Sequence, residues 1–118
     1  MNSKLKLDIS KLTNVVQTVY VGCGDHNGTV LDMTVTDWGI PAELTGTTVR
    51  VEMRLSDGSA LTIPCVVTSS NTATATIDAR DLDGQHVRFA YAAIADGDRV
   101  YSTERFDVVI VPGNPQGV

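Results

Sequence analysis

From Thr48 to Leu55 the chain alternates without a break: Val49, Val51, Met53 and Leu55 are apolar, while Thr48, Arg50, Glu52 and Arg54 are polar or charged. Side chains on a β-strand point to opposite faces in turn, so this order puts four apolar groups on one side and four hydrophilic ones on the other. A helix of 3.6 residues per turn would scatter the same apolar groups around its axis. The spacing therefore predicts a strand with one face on a core and the other toward water, the pattern of an antiparallel sheet. Residues 29–37 repeat it with Leu31, Met33 and Val35 inward, and residues 72–78 with Ala73, Ala75 and Ile77. The threonines between them favour strand as well.

Three further stretches alternate less cleanly: Leu61, Ile63, Cys65 and Val67; Val87, Phe89, Tyr91 and Ala93; and Phe106, Val108 and Ile110. Each also carries apolar residues on its opposite side, as central or covered strands do. Residues 5–9 and 15–21 are two more candidates, the second so apolar on both sides that its facing stays open. Asp57-Gly58, Asp83-Gly84 and Asp96-Gly97 supply the positive φ that tight hairpins demand. A longer connection runs through Trp38-Gly39-Ile40-Pro41 and Leu44-Thr45-Gly46. A chain of 118 residues is the size of one domain. Many short strands at near-regular spacing, with no helix of ordinary length, predict an all-β, immunoglobulin-like antiparallel β-sandwich. That single domain is expected over residues 1–111, with the Pro- and Gly-rich residues 112–118 as a flexible tail or linker.

Several function classes are not expected from this composition. The net charge is −5, and the nine Lys and Arg are scattered rather than set in a stripe that could follow a phosphate backbone, so nucleic acid is not an expected partner. No apolar run approaches the roughly 20 residues of a membrane-spanning helix. The start MNSKLKLDIS lacks the continuous apolar stretch of a secretory signal, so synthesis in a cytoplasm is expected. Cys23 and Cys65 are too few for a disulfide framework and read as unpaired small residues of the core or its rim. Cys23 and His26 have a spacing that a metal could use, but a structural zinc needs four ligands, and Cys65 and His86 would have to converge on them by folding. His26 and His86 are otherwise surface residues. Asp81 and Asp83 beside Gly84, and Asp96 and Asp98 around Gly97, lack the Glu that closes a calcium loop at its twelfth position and read as hairpin turns. No nucleophile elbow and no glycine-rich phosphate loop is present, so no catalytic residue, cofactor or small-molecule substrate is assigned, and no enzyme is expected.

Trp38 is the one large aromatic residue in an expected loop. Exposed aromatics anchor protein interfaces, which makes it the candidate interface residue; alternatively its indole closes one open end of the sandwich.

The order of these signals resembles the N-terminal domain of phage baseplate upper proteins. Gly22-Cys23-Gly24-Asp25-His26-Asn27 resembles that family's Gly-Asp-x-Asn entry into a strand. Residues 37–46, Asp-Trp-Gly-Ile-Pro-Ala-Glu-Leu-Thr-Gly, resemble its Asp-x-x-Gly-x-Pro-x-Asp-Leu-Thr-Gly connection, with Glu43 where the family has Asp. Val49 to Met53 followed by Ser56-Asp57-Gly58 resembles the next strand and its Pro-Asp-Gly turn, with Ser56 in place of Pro. Tyr101-Ser102-Thr103-Glu104-Arg105-Phe106 resembles the closing Ser-Thr-x-x-Phe strand. The resemblance implies a non-enzymatic structural part of a phage or prophage tail in the virion, an assembly domain that anchors a host-recognition component through contacts with other tail or baseplate proteins. The fold alone also fits an adhesion or carbohydrate-binding module of a bacterial surface protein.

Overall fold

The structure, a computed structural model, describes residues 2–11, 16–22, 28–82 and 84–111. Its strands are β1 (Asn2–Asp8), β2 (Thr18–Gly22), β3 (Thr29–Asp37), β4 (Ile40–Pro41), β5 (Thr48–Leu55), β6 (Ala60–Pro64), β7 (Val66–Val67), β8 (Thr72–Ile77), β9 (Val87–Asp96), β10 (Arg99–Ser102) and β11 (Asp107–Val111). One turn of 3-10 helix, Ala79–Leu82, lies between β8 and β9, and among the described residues no helix is long and apolar enough to cross a membrane. One sheet has the order β1-β3-β8-β7 with β4 added to β3; a second has the order β10-β9-β5-β6; β11 and β2 pair with each other. The protein is an all-β sandwich.

The alternation read from the sequence is what fills the space between the sheets. Leu31, Met33 and Val35 of β3 and Ala73, Ala75 and Ile77 of β8 are buried, and so are Val49, Val51, Met53 and Leu55 of β5. β2 begins at Thr18 and settles the facing that the sequence left open: Val19 and Val21 are buried and Tyr20 is exposed. Burying each such aliphatic side chain is worth about 1.5–3 kcal/mol, and with few aromatics in the chain these residues carry the core.

Three expectations need correction. The pairings are not all antiparallel: β1 runs parallel to β3, and β11 parallel to β2. Neither pair is joined by a hairpin, since the intervening chain leaves the sheet and re-enters in the same direction. In β9 Val87, beyond a register shift and opposite Leu55, packs against the core, but farther along the core face belongs to Ala90, Ala92 and Ile94, whereas Phe89 and Tyr91 are half-buried on the outer face. There Phe89 and Tyr91 stack at 6.4 Å, and the Arg105 guanidinium sits 3.9 Å above the Phe89 ring, so the aromatic stripe is covered by its own cation. Small alanines can face the core at this strand because the bulky side chains of β3 and β5 already fill it. Finally, residues 61–67 are not one strand. β6 pairs with β5 in one sheet and β7 with β8 in the other, so the chain crosses between the sheets at Cys65, whose N–H donates to the Val49 carbonyl at 2.9 Å. A period-2 pattern continues unbroken through such a crossing, because the inward side of each strand still faces the same core.

Cys65 is half-buried at this crossing, and burial pushes its thiol up to about 11, although a backbone hydrogen bond acts in the opposite direction. Peptide mapping after iodoacetamide at pH 8 is expected to find Cys65 at least tenfold slower than a free thiol in the native protein and fully labelled in urea, since the thiolate is the reactive form. Equal rates in both conditions would contradict the burial.

Candidate functional site: a clamped turn beside an apolar groove

β3 and β4 form a hairpin in which Asp37 pairs with Ile40, leaving Trp38 and Gly39 as a two-residue loop. Both have positive φ, 55° and 75°, the geometry of a type I′ turn. Gly39 meets that demand without cost. Trp38 does not: a bulky side chain in the left-handed region is strained by about 1–2 kcal/mol.

The turn is held by a carboxylate from the first strand. Asp8 closes β1, where its backbone lies beside Thr36, and it is 5% exposed. Its Oδ2 accepts from the Thr36 hydroxyl at 2.7 Å and from the Gly39 N–H at 2.9 Å, and its Oδ1 accepts from the Ser10 N–H at 2.8 Å. The Ser10 hydroxyl donates to Asp37 at 2.6 Å and accepts the Trp38 N–H at 2.7 Å. Both loop N–H groups are thus bound to side chains of the segment just after or at the end of β1. Burial pushes the Asp8 carboxyl up, but the hydrogen bonds from Thr36, Gly39 and Ser10 outweigh it and hold the group well below the ordinary carboxylate range.

A second carboxylate lies against the first. The Asp8 N–H donates to Glu104 Oε2 at 2.9 Å, and the Glu104 N–H donates to the Asp8 carbonyl at 3.1 Å. Glu104 is 7% exposed; burial raises its pKa, the Asp8 N–H lowers it, and the Asp8 charge raises it again, with a net upward direction. Thr103, also buried, orients this segment: its N–H donates to the Ala92 carbonyl at 2.9 Å and its hydroxyl accepts the Ala92 N–H at 3.0 Å.

Beside the clamped turn lies a groove of about 480 Å³, with Leu44 and Ile94 as its buried floor. Its rim carries Trp38 at 69%, Ile40 at 67% and Tyr101 at 36% exposure. The indole therefore does not close the sandwich from within; it stands in solvent at the edge of an apolar cleft. Among the described residues, Asp37, Glu43 and Asp96 are the charged ones lining the groove, and no Lys or Arg lines it. Exposed apolar residues gathered in one place mark an interaction site where scattered ones would not.

Of the remaining candidates among the described residues, only Asp96 lines the groove. His86 is exposed in the connection before β9, its N–H bound to the Ser56 hydroxyl, and Cys65 lies in the crossing between the sheets. Asp96 and Asp98 flank Gly97 in the β9–β10 turn, and Asp81 sits in the 3-10 turn. Cys23, His26 and Asp83 lie outside the described residues. Among the described residues, no three His, Cys, Asp or Glu side chains gather to hold a metal ion. Asp8 and Glu104 were not singled out from the sequence. The one signal that could have pointed to Asp8 is a carboxylate two residues before Ser10 in a chain whose Trp-Gly turn needs acceptors for its N–H groups.

Replacing Trp38 by Asn, the residue favoured before Gly in a type I′ turn, is expected to stabilise the domain by about 1 kcal/mol. Urea unfolding measures this. A loss of stability instead would mean that the indole packs for the benefit of the fold.

These features define a β-sandwich domain with three exposed apolar residues, Trp38, Ile40 and Tyr101, gathered round one rigidly held turn. Residues 1–116 match the BppU N-terminal domain family, that of baseplate upper proteins, and the chain belongs to it. The family resemblance read from the ordered motifs therefore holds, and with it a structural role in the phage tail baseplate. Among solved structures, the fold is similar to the "N-terminal domain of phage TP901-1 ORF48", with a TM-score of 0.63 and 15% sequence identity over 93% of this chain and 98% of that one. No curated protein matches the chain in sequence.

Proposed function

We propose that this chain is a non-enzymatic assembly domain of a phage or prophage tail, which sits in the virion and anchors a host-recognition component to the baseplate through contacts with neighbouring tail proteins. The observation that carries the reading is the turn at Trp38. Strain at an exposed aromatic residue, held by a buried carboxylate, is a feature a fold retains for what it binds rather than for its own stability. Family membership supports the setting, and a rigid platform with a preformed apolar groove suits permanent assembly because little ordering has to be paid for on docking.

The test is deletion of the gene in the phage or prophage that carries it, followed by complementation with the wild type or with Trp38→Ala. Tails purified from the wild type are expected to contain the protein, and the deletion to abolish adsorption. Trp38→Ala is expected to fold normally and to be under-represented in tails by at least tenfold. Tails that never contain the wild-type protein would overturn the reading. Specific binding on a glycan array, with Trp38 required, would replace it with the carbohydrate-binding alternative.

A further inference from the structure

β10 is an edge strand, paired with β9 on one side only among the described residues, and all four of its residues are exposed. The Thr103 N–H donates to the Ala92 carbonyl, which fixes the alternation of the ladder: Arg99 and Tyr101 point their backbone groups at β9, and Val100 and Ser102 point theirs away from it. Two of the other edges are blunted. The Gln17 side chain accepts from the Lys6 N–H and donates to the Lys6 carbonyl, occupying the free side of β1, and β6 ends in Pro64. β10 combines an open backbone with an apolar surface, Val100 at 60% exposure and Tyr101 on the groove, whereas the edge strand β7, which also exposes Val66, is two residues long and does not line the groove.

Tyr101 lies opposite Ile94 in the ladder, so it shares the face of the sheet that forms the groove floor. A strand added to β10 would place every second side chain on that same face, and the one beside Tyr101 would enter the cleft toward Leu44 and Ile40. The groove itself is lined by carboxylates: Asp37, Glu43, kept ionised by hydrogen bonds from Thr45, and Asp96, with Arg99 of β10 opposite Asp96 offsetting part of that charge at one end. A second copy of this chain, with net charge −5, would bring like charges together there. We infer that β10 and the adjoining groove take an extended segment of a partner protein in which apolar side chains alternate with Lys or Arg, docked by strand addition. This deepens the assembly role proposed above and rests on it.

A random linear dodecapeptide library selected against the whole chain tests the inference. The enriched peptides are expected to alternate apolar and basic residues and to slow hydrogen exchange of the Val100 and Ser102 amides at least tenfold. Val100→Pro removes an N–H that faces away from β9 and is expected to weaken binding at least tenfold. N-methylation of alternate peptide amides, which leaves the protein untouched, is expected to do the same, as is Glu43→Lys with Asp96→Lys. No enrichment above an unrelated protein, enrichment of acidic or non-alternating sequences, or binding indifferent to both Val100→Pro and N-methylation would overturn the inference. Tails that incorporate Val100→Pro as well as the wild type would also overturn it while leaving the baseplate role standing. Tails that lack even the wild type would overturn that role itself.

Discussion

Asp8→Ala lowers the unfolding free energy by about 3 kcal/mol, the expected result of leaving the Ser10, Thr36 and Gly39 donors without their charged acceptor in a buried place. For a domain of this size that is a fall in Tm of roughly 10 °C. The loss is not spread evenly: amide exchange at Trp38 and Gly39 accelerates first, and because the chain has a single tryptophan, its fluorescence anisotropy reports the freed turn directly. An Asp8→Ala protein as stable as the wild type, with an unchanged anisotropy, would contradict the clamp.

The same pair of carboxylates dictates how stability varies with pH. Asp8 has a folded-state pKa below its unfolded value near 3.9, so the unfolded chain takes up the proton first; its contribution is complete above about pH 4 and drains away as pH falls further. Glu104 has the opposite sign. Its folded-state pKa lies above the ordinary value of 4.5, so its ionisation disfavours the fold, and stability declines as pH rises from about 4.5 through the raised pKa. Glu104→Gln is expected to remove the decline on the alkaline side and leave the acid limb, and Asp8→Asn to remove the acid limb. Urea unfolding at half-unit intervals from pH 3 to 8 separates the two.

Gly28→Ala is expected to cost about 2–4 kcal/mol. Gly28 precedes β3 with φ +74°, and a Cβ there would lie 2.8 Å from the Thr76 methyl and 2.9 Å from the Ile77 carbonyl oxygen. The methyl could turn aside, but the carbonyl is backbone of β8 and paired in the sheet, so the strand itself would have to move. Gly46→Ala isolates the backbone part of that cost. Gly46 has φ +82° with nothing within 4 Å of its would-be Cβ, and about 1 kcal/mol is expected there. Equal losses at the two positions would mean that β8 yields easily.

The strands were legible because their cause is local. Alternation in β3, β5 and β8 states both the conformation and the buried face, and the Gly residues of the turns state where chain direction reverses. What could not be read depends on partners distant in sequence. Whether Phe89 or Ala90 faces inward is decided by the bulk already supplied from β3 and β5. The crossing at Cys65 leaves the period unchanged and so leaves no mark. Parallel pairing of β1 with β3 depends on where the chain goes between them. For the candidate site, Trp38 was visible as a large aromatic residue in a loop, and the structure places it exposed on the rim of the groove. Asp8 was not visible, since a lone aspartate at the end of a strand acquires its meaning only when a turn 28 residues or more away lays its donors across it.

The crossing between the sheets also sets the compliance of the molecule. Along the edge formed by β6 and β7 the two layers are tied covalently, through the peptide bonds on either side of Cys65. Along the opposite edge they meet through hydrogen bonds, those between Asp8 and Glu104 among them. The covalent tie holds as long as the chain is intact, whereas hydrogen bonds can open one by one, so local parting of the layers is expected to begin at the margin that Asp8 and Glu104 hold.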